Sequence, residues 1–245
     1  MAKIRWSCAP TVSPEGRNAN GSVIKTLGLP DHRGSGRLAI VGGGPSVAQH
    51  VEELRSWNGT IWAVNGAINW CLDHGIDAWF YTADAASMAN WFYDLSRVRL
   101  AVLAPDVSPE LVGYLIGNGA RVELTPPIES GPTSVNAADF ISLRAGYRKM
   151  VYFGCEGSFD YETGTTHAFT SFPIEDWLDV DVGGMRFRSK AEFISQAQML
   201  SNTLREFPDF YSEKSGGLLR AMVEAGPEYD VYAVADSLYA KLMEA

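Results

Sequence analysis

Cysteine is scarce in this chain: Cys8, Cys71 and Cys155 are the only three in 245 residues. They are widely separated and odd in number, and they contain no C-x-x-C pair. That argues against a zinc knuckle and against a disulfide framework, and leads us to expect reduced, buried thiols in a cytoplasmic protein. Long apolar runs are missing as well. None approaches the roughly 20 residues that span a bilayer, so no transmembrane helix is expected. Residues Met1 to Pro30 hold no apolar stretch behind a basic start, so no secretory leader is expected either. Positive charge is the third deficit. The 20 Lys and Arg against 29 Asp and Glu leave a formal charge of −9, with no basic cluster to offset it. A surface of that sign repels phosphate backbones, which disfavours general nucleic-acid binding.

What remains is ordinary globular material, 46% apolar and 20% charged,. The length suits one large domain, able to bury roughly 70–75% of its unfolded surface without metal or disulfide. Residues 1–36 read as an irregular lead-in broken by Asn, Gly and Pro. From Arg37 the pattern becomes regular. Short apolar runs at 38–41, 61–64, 78–81, 100–103, 121–124 and 150–153 read as strands buried on both faces. Helical stretches separate them, including one opened by Ser108 as N-cap with Pro109 behind it, and one from about Ser134 to Ala145. The alternation implies an α/β, Rossmann-like fold: a mostly parallel sheet of about six strands with helices on both faces. Residues 37–156 would form that core. Residues 157–245 would form a lid loop, with no clear period over 157–189, and C-terminal helices.

In such sheets ligands bind beyond the carboxyl ends of the strands. Gly42-Gly43-Gly44-Pro45-Ser46 lies there, between strand one and a helix, and its glycines allow a close approach to an anion at the helix N-terminus. It is not a Walker A loop, because no Lys-Ser or Lys-Thr follows. It is a poor dinucleotide fingerprint too, with Val47 at the third glycine position and Asn65 where an acid would hold a ribose. Asn65, at the end of strand two, offers donors and an acceptor to a base or sugar edge, or else closes a local turn. Asp84, at the end of strand three, would hold Mg²⁺, bind a ribose or cap a helix. The pair Asp179 and Asp181 has the spacing of an acidic metal pair. Gly131-Pro132-Thr133-Ser134 repeats the glycine, proline and hydroxyl pattern at a second helix start, giving a second anion site or simple capping. His167 lies in the polar segment after strand six, where an imidazole suits a general base.

Taken in order, the segments Val41–Ser46, Asn65–Ala67, Asp73–Asp77, Tyr81–Asp84, Ser134–Ala138, Tyr152–Gly157 and Thr166–Ala168 form a set. Over roughly residues 37–170 it resembles the domain shared by bacterial motility accessory factors, which are flagellin glycosyltransferase-like, and by archaeal 6-hydroxymethylpterin pyrophosphokinases. More distantly, it is similar to the bacterial sialyltransferases that use CMP-sugars. The resemblance implies a transferase domain in which Gly42–Ser46 and Asn65 face a nucleotide, Thr133 and Ser134 line the same cleft, and His167 stands at the position of the sialyltransferase base. Glu156 departs from the pattern, since the flagellin-modifying relatives carry an aspartate nearby. Three readings follow. The first is a glycosyltransferase using a nucleotide-activated sugar, with CMP-sugar as donor. The second is an ATP- and Mg²⁺-dependent pyrophosphokinase of a pterin-like alcohol, with Asp84 on the metal. The third is a non-catalytic phage or host protein that binds nucleotide or serves in assembly.

Overall fold

A computed structural model describes residues 36–84, 94–125, 131–159, 165, 167–168 and 177–226. The expected lead-in at 1–35, a terminal helix expected from Val234 to Glu244, and much of the expected lid lie outside these residues.

Seven strands form one sheet: β1 (Arg37–Val41), β2 (Thr60–Val64), β3 (Trp79–Thr82), β4 (Leu100–Leu103), β5 (Arg121–Leu124), β6 (Lys149–Phe153) and β9 (Tyr211–Glu213). Their spatial order is β5-β4-β3-β2-β1-β6-β9, and every pairing is parallel. Because side chains alternate along a strand, each strand supplies both faces. Leu38, Ile40, Trp62, Val64 and Tyr81 point to one core. Ala39, Val41, Ile61, Ala63 and Phe80 point to the other. Burial on both faces explains why the strands read as unbroken apolar runs rather than alternating ones.

The helices divide by direction of travel. While the chain steps from β1 towards β5, its helices α1 (Val51–Arg55), α2 (Ala67–Asp73) and α3 (Pro109–Gly117) bury Leu54, Ile68 and Leu111 in the second core. After β5 it crosses back to the far side of β1. Helices α4 (Ser134–Arg144), α5 (Ala191–Glu206) and α6 (Gly217–Ala225) then bury Ile141, Leu200 and Met222 in the first core. Right-handed crossovers demand this change of face when the direction reverses. The reversal falls between β1 and β6, which makes their carboxyl ends the topological switch point.

Local chemistry explains most element boundaries. Ser108 caps α3, its Oγ accepting from the Leu111 N–H at 3.2 Å, and Pro109 sits in the first turn,. The glycine loop leads first into a 3₁₀ turn, Pro45–His50, and only then into α1. Cys71 and Cys155 are buried free thiols.

Two features depart from the sequence expectation. Residues 178–189 are not irregular: β7 (Leu178–Val182) and β8 (Met185–Ser189) form an antiparallel hairpin. Its turn is Gly183-Gly184, both at positive φ (58° and 79°), as a two-residue hairpin turn of that hand requires,. Within the hairpin Asp181 pairs with Arg186 at 3.0 and 3.2 Å, and Asp179 lies 3.5 Å from Arg188. The acidic pair therefore forms cross-strand ion pairs on the outer face of the hairpin, whose inner face buries Val180 and Val182, and is not a metal clamp,. The second departure is β9, which adds a seventh strand beside β6.

Candidate functional site

At the switch point the two chains leave the sheet almost touching. The Gly42 N–H donates to Phe153 O at 2.8 Å, and the Gly44 N–H to Gly154 O at 2.8 Å. A Cβ at Gly42 would collide with the Gly154 carbonyl, and one at Gly154 would lie 2.7 Å from the Gly42 carbonyl. Gly154 also needs φ +62°, which side chains disfavour,. Glycine is thus required at both positions by geometry before any ligand is considered.

The loop's amides are largely engaged inside the protein. Besides Gly42 and Gly44, the Ser46 N–H donates to Glu156 Oε1 at 2.5 Å. The Glu156 carboxyl fills the space a side chain at Gly44 would need. An internal carboxyl therefore stands where sequence reasoning expected a phosphate. Glu156 is buried, and burial pushes its carboxyl above the usual range, partly offset by the hydrogen bonds from Ser46,.

A cavity of about 110 Å³ opens above this crossing. Gly42, Gly43, Gly44, Asn65, Thr133, Ser134 and His167 all line it, together with Glu156 and Gln196. Ser46 does not; it borders a neighbouring groove. Asp84 borders neither, although its N–H donates to Thr82 Oγ1 at 3.1 Å close by. The cavity is smaller than the roughly 300–1,000 Å³ of drug-sized sites, a size that suits the phosphate or ribose portion of a larger ligand,.

Hydrogen bonding decides which lining groups face a ligand. Asn65 adopts φ 51°, the left-handed region that asparagine tolerates, and so turns its side chain out of the strand,. Its Oδ1 accepts from Thr82 Oγ1 at 2.7 Å, which leaves the amide NH₂ as the outward group,. The side chain is thus a donor site, not the two-way edge expected from sequence. Thr133 is absorbed as the N-cap of α4: its Oγ1 accepts from the Asn136 N–H at 3.4 Å and lies 2.8 Å from Gln196 Oε1. Ser134 Oγ accepts from the Ala83 N–H at 3.3 Å, so its proton remains available to an acceptor,. The first turn of α4 therefore turns its positive end and the Ser134 hydroxyl towards this cleft, an arrangement that suits an anion,.

His167 reaches the cleft because Ala168 is tied to the glycine loop, its N–H donating to Gly43 O at 2.9 Å. Burial holds its imidazole well below the usual value, at about 4, so the ring is neutral near pH 7,. Glu156 was visible in the sequence only as a departure from a pattern. Nothing local marks a glutamate after a strand as the partner of a loop 110 residues away. Among the described residues no group of three or more His, Cys, Asp and Glu could hold a metal ion, and no helix is long and apolar enough to cross a membrane. No protein-family model matches the chain, and no curated protein matches it either.

Proposed function

We propose that the chain is a glycosyltransferase-like protein that uses a nucleotide-activated sugar, with a CMP-sugar as donor. The observation that supports this reading best is the convergence of the α4 N-terminus, the Asn65 amide and a neutral His167 on one cleft at the switch point. The donor phosphate would lie at the first turn of α4, held by its amides and the Ser134 hydroxyl, with Asn65 donating to a phosphate or ribose oxygen. In the transfer, the acceptor hydroxyl oxygen bonds to the anomeric carbon and gives its proton to His167. The bond from that carbon to the phosphate oxygen breaks, and the positive end of α4 stabilises the departing charge.

The engaged amides of the glycine loop favour a second reading, a nucleotide-binding protein without turnover. Among the described residues no acidic cluster that could hold Mg²⁺ gives the pyrophosphokinase reading comparable support. Thermal-shift titration with CMP, UMP, GDP, ATP and pterins, each with and without Mg²⁺, together with an assay of CMP-sugar consumption, separates all three. We expect a shift with CMP that does not need Mg²⁺ and is lost in Ser134→Val. A shift with ATP and a pterin only in Mg²⁺, or none with any nucleotide, overturns the proposal. Binding of CMP without donor consumption selects the second reading.

A further inference from the structure

The lining of the switch-point cleft changes in character along its length. Ser134 and Asn65 stand at the exits of β3 and β2, where Ser134 Oγ accepts from the Ala83 N–H at 3.3 Å. On the other side of β1, past the exit of β6, the lining includes the rings of Phe159 and Phe193. We propose that this second end is a subsite for a flat heteroaromatic ring, in which Phe193 covers the face of the ring and the Gln196 amide donates to an acceptor on its edge. The inference rests on the nucleotide reading above and deepens it: the ring is the base of the donor, a pyrimidine in CMP.

Gln196 carries the argument furthest. It is only 5% exposed, yet it lines the cleft. Its Oε1 lies 2.8 Å from Thr133 Oγ1, and Asn136 Oδ1 lies 3.0 Å from the same hydroxyl. A hydroxyl has one proton, and the shorter contact takes it. Gln196 Oε1 is thereby matched, while its Nε2 donates to none of the described residues. A buried donor without an acceptor is costly, so a ligand acceptor at this point gains more than it would at an exposed amide.

The aromatic pair supplies the second observation. The two rings meet at 79° with their centroids 5.9 Å apart. Phe159 is buried and backs the pair, whereas Phe193 is half-buried and keeps accessible surface. Phe193 and Gln196 are three residues apart on α5, which puts them on one face of the helix,. One flat ligand group would therefore meet both the ring and the donor. The helix is also held in place. A Cβ at Gly157, where the chain leaves β6, would lie 2.7 Å from the Ala197 Cβ and 2.8 Å from the Phe193 carbonyl. The Ser189 hydroxyl donates to the Gly157 carbonyl at 2.5 Å. A wall fixed in this way loses little freedom when a ligand arrives.

The two ends suit one ligand in one direction. Strands β2 and β6 flank β1, so their exits are about 10 Å apart,. A phosphate at the start of α4 leaves the ribose over the middle of the cleft and carries the base towards Phe193.

Isothermal titration of the full chain with CMP and with ribose 5-phosphate, which lacks the base, tests the subsite. We expect the wild type to bind CMP about tenfold more tightly or better. Gln196→Leu should weaken CMP about tenfold through the loss of one buried hydrogen bond, and leave ribose 5-phosphate within about twofold. Phe193→Leu keeps an apolar side chain on α5 but no flat face, and should act in the same selective way. Equal binding of the two ligands by the wild type overturns the inference. So does CMP affinity unchanged in both variants, or a loss shared equally by both ligands, which marks residues that only hold the cleft together. In each of these cases the binding of CMP leaves the nucleotide reading standing. Failure of the wild type to bind either ligand overturns that reading and this inference with it.

Discussion

Replacing Gly154 with alanine should damage the protein more than the loss of one flexible residue suggests. Two costs add at this position. Alanine at φ +62° bears the penalty of the left-handed region, about 1–2 kcal/mol,. Its Cβ would also lie 2.7 Å from the Gly42 carbonyl and 3.0 Å from the Val47 Cβ, neither of which is the loose end of a long side chain. Overpacking of that kind typically costs about 1–3 kcal/mol. Together they give about 2–5 kcal/mol, or a fall in Tm of about 4–20 °C for a chain of this size. Gly183 supplies the control. It has a similar φ of 58° but no atom within 4 Å of the position a Cβ would take, so Gly183→Ala bears the first cost alone. Urea and thermal unfolding of both variants measure the difference directly. Combining Gly154→Ala with Gly42→Ala should cost less than the sum, because one displacement of β6 from β1 relieves both collisions. Equal destabilisation by Gly154→Ala and Gly183→Ala would refute the argument that the strands approach too closely at the switch point for any side chain.

Other consequences can be tested separately. Burial raises the Asp139 carboxyl to about 6, against the hydrogen bond it accepts from Tyr152 at 2.7 Å. Its contribution to stability is therefore full below about pH 4 and lost as pH rises through 6. Asp139→Asn should gain on the wild type by up to about 3 kcal/mol between pH 4 and pH 8 in paired denaturation curves, and a constant difference would contradict this. His167→Ala should lower turnover about 10²–10⁴-fold with little change in nucleotide affinity. With the imidazole at about 4, the wild-type acid limb of kcat/KM should fall near pH 4, and a limb at 6.5 would mean that the ring is solvated in the working enzyme. Asp181→Ala, which breaks an exposed hairpin pair, should change stability by less than about 1 kcal/mol and leave activity indifferent to chelators,.

The sheet could be read from the sequence because its signal is local. A strand such as Leu100–Leu103, buried on both faces, writes itself as four apolar residues, and Ser108-Pro109 marks a helix start through its own capping chemistry. The short edge strand Tyr211–Glu213 has no such signature, since one polar, exposed side is all that three residues at an edge need. The hairpin at 178–189 did carry a signal, the Gly183-Gly184 turn between alternating residues, but it was obscured by the irregular composition around it. The cleft divides in the same way. That Asn65, Ser134 and His167 line one cavity follows from strand order, which alternation implies. Which of their atoms remain outward does not, because Thr82, Ala83 and Glu156 engage the rest from elsewhere in the chain.

The switch point also sets an order of assembly. Strands β1 to β5 meet neighbours that follow them closely in sequence, so that half of the sheet can form as the chain lengthens. The other edge of β1 must wait for β6, where Arg37 pairs with Lys149 across more than a hundred residues, and the outer edge of β6 must wait for β9. Closing so long a loop carries an entropic penalty that only the completed pairing offsets. Until then β1, whose residues Leu38 to Val41 are all buried in the finished sheet, presents an open edge to any other chain,. Conditions that slow the arrival of β6 should therefore favour aggregation over misfolding within a single chain. Concentration during refolding, more than temperature, should govern the yield of native protein.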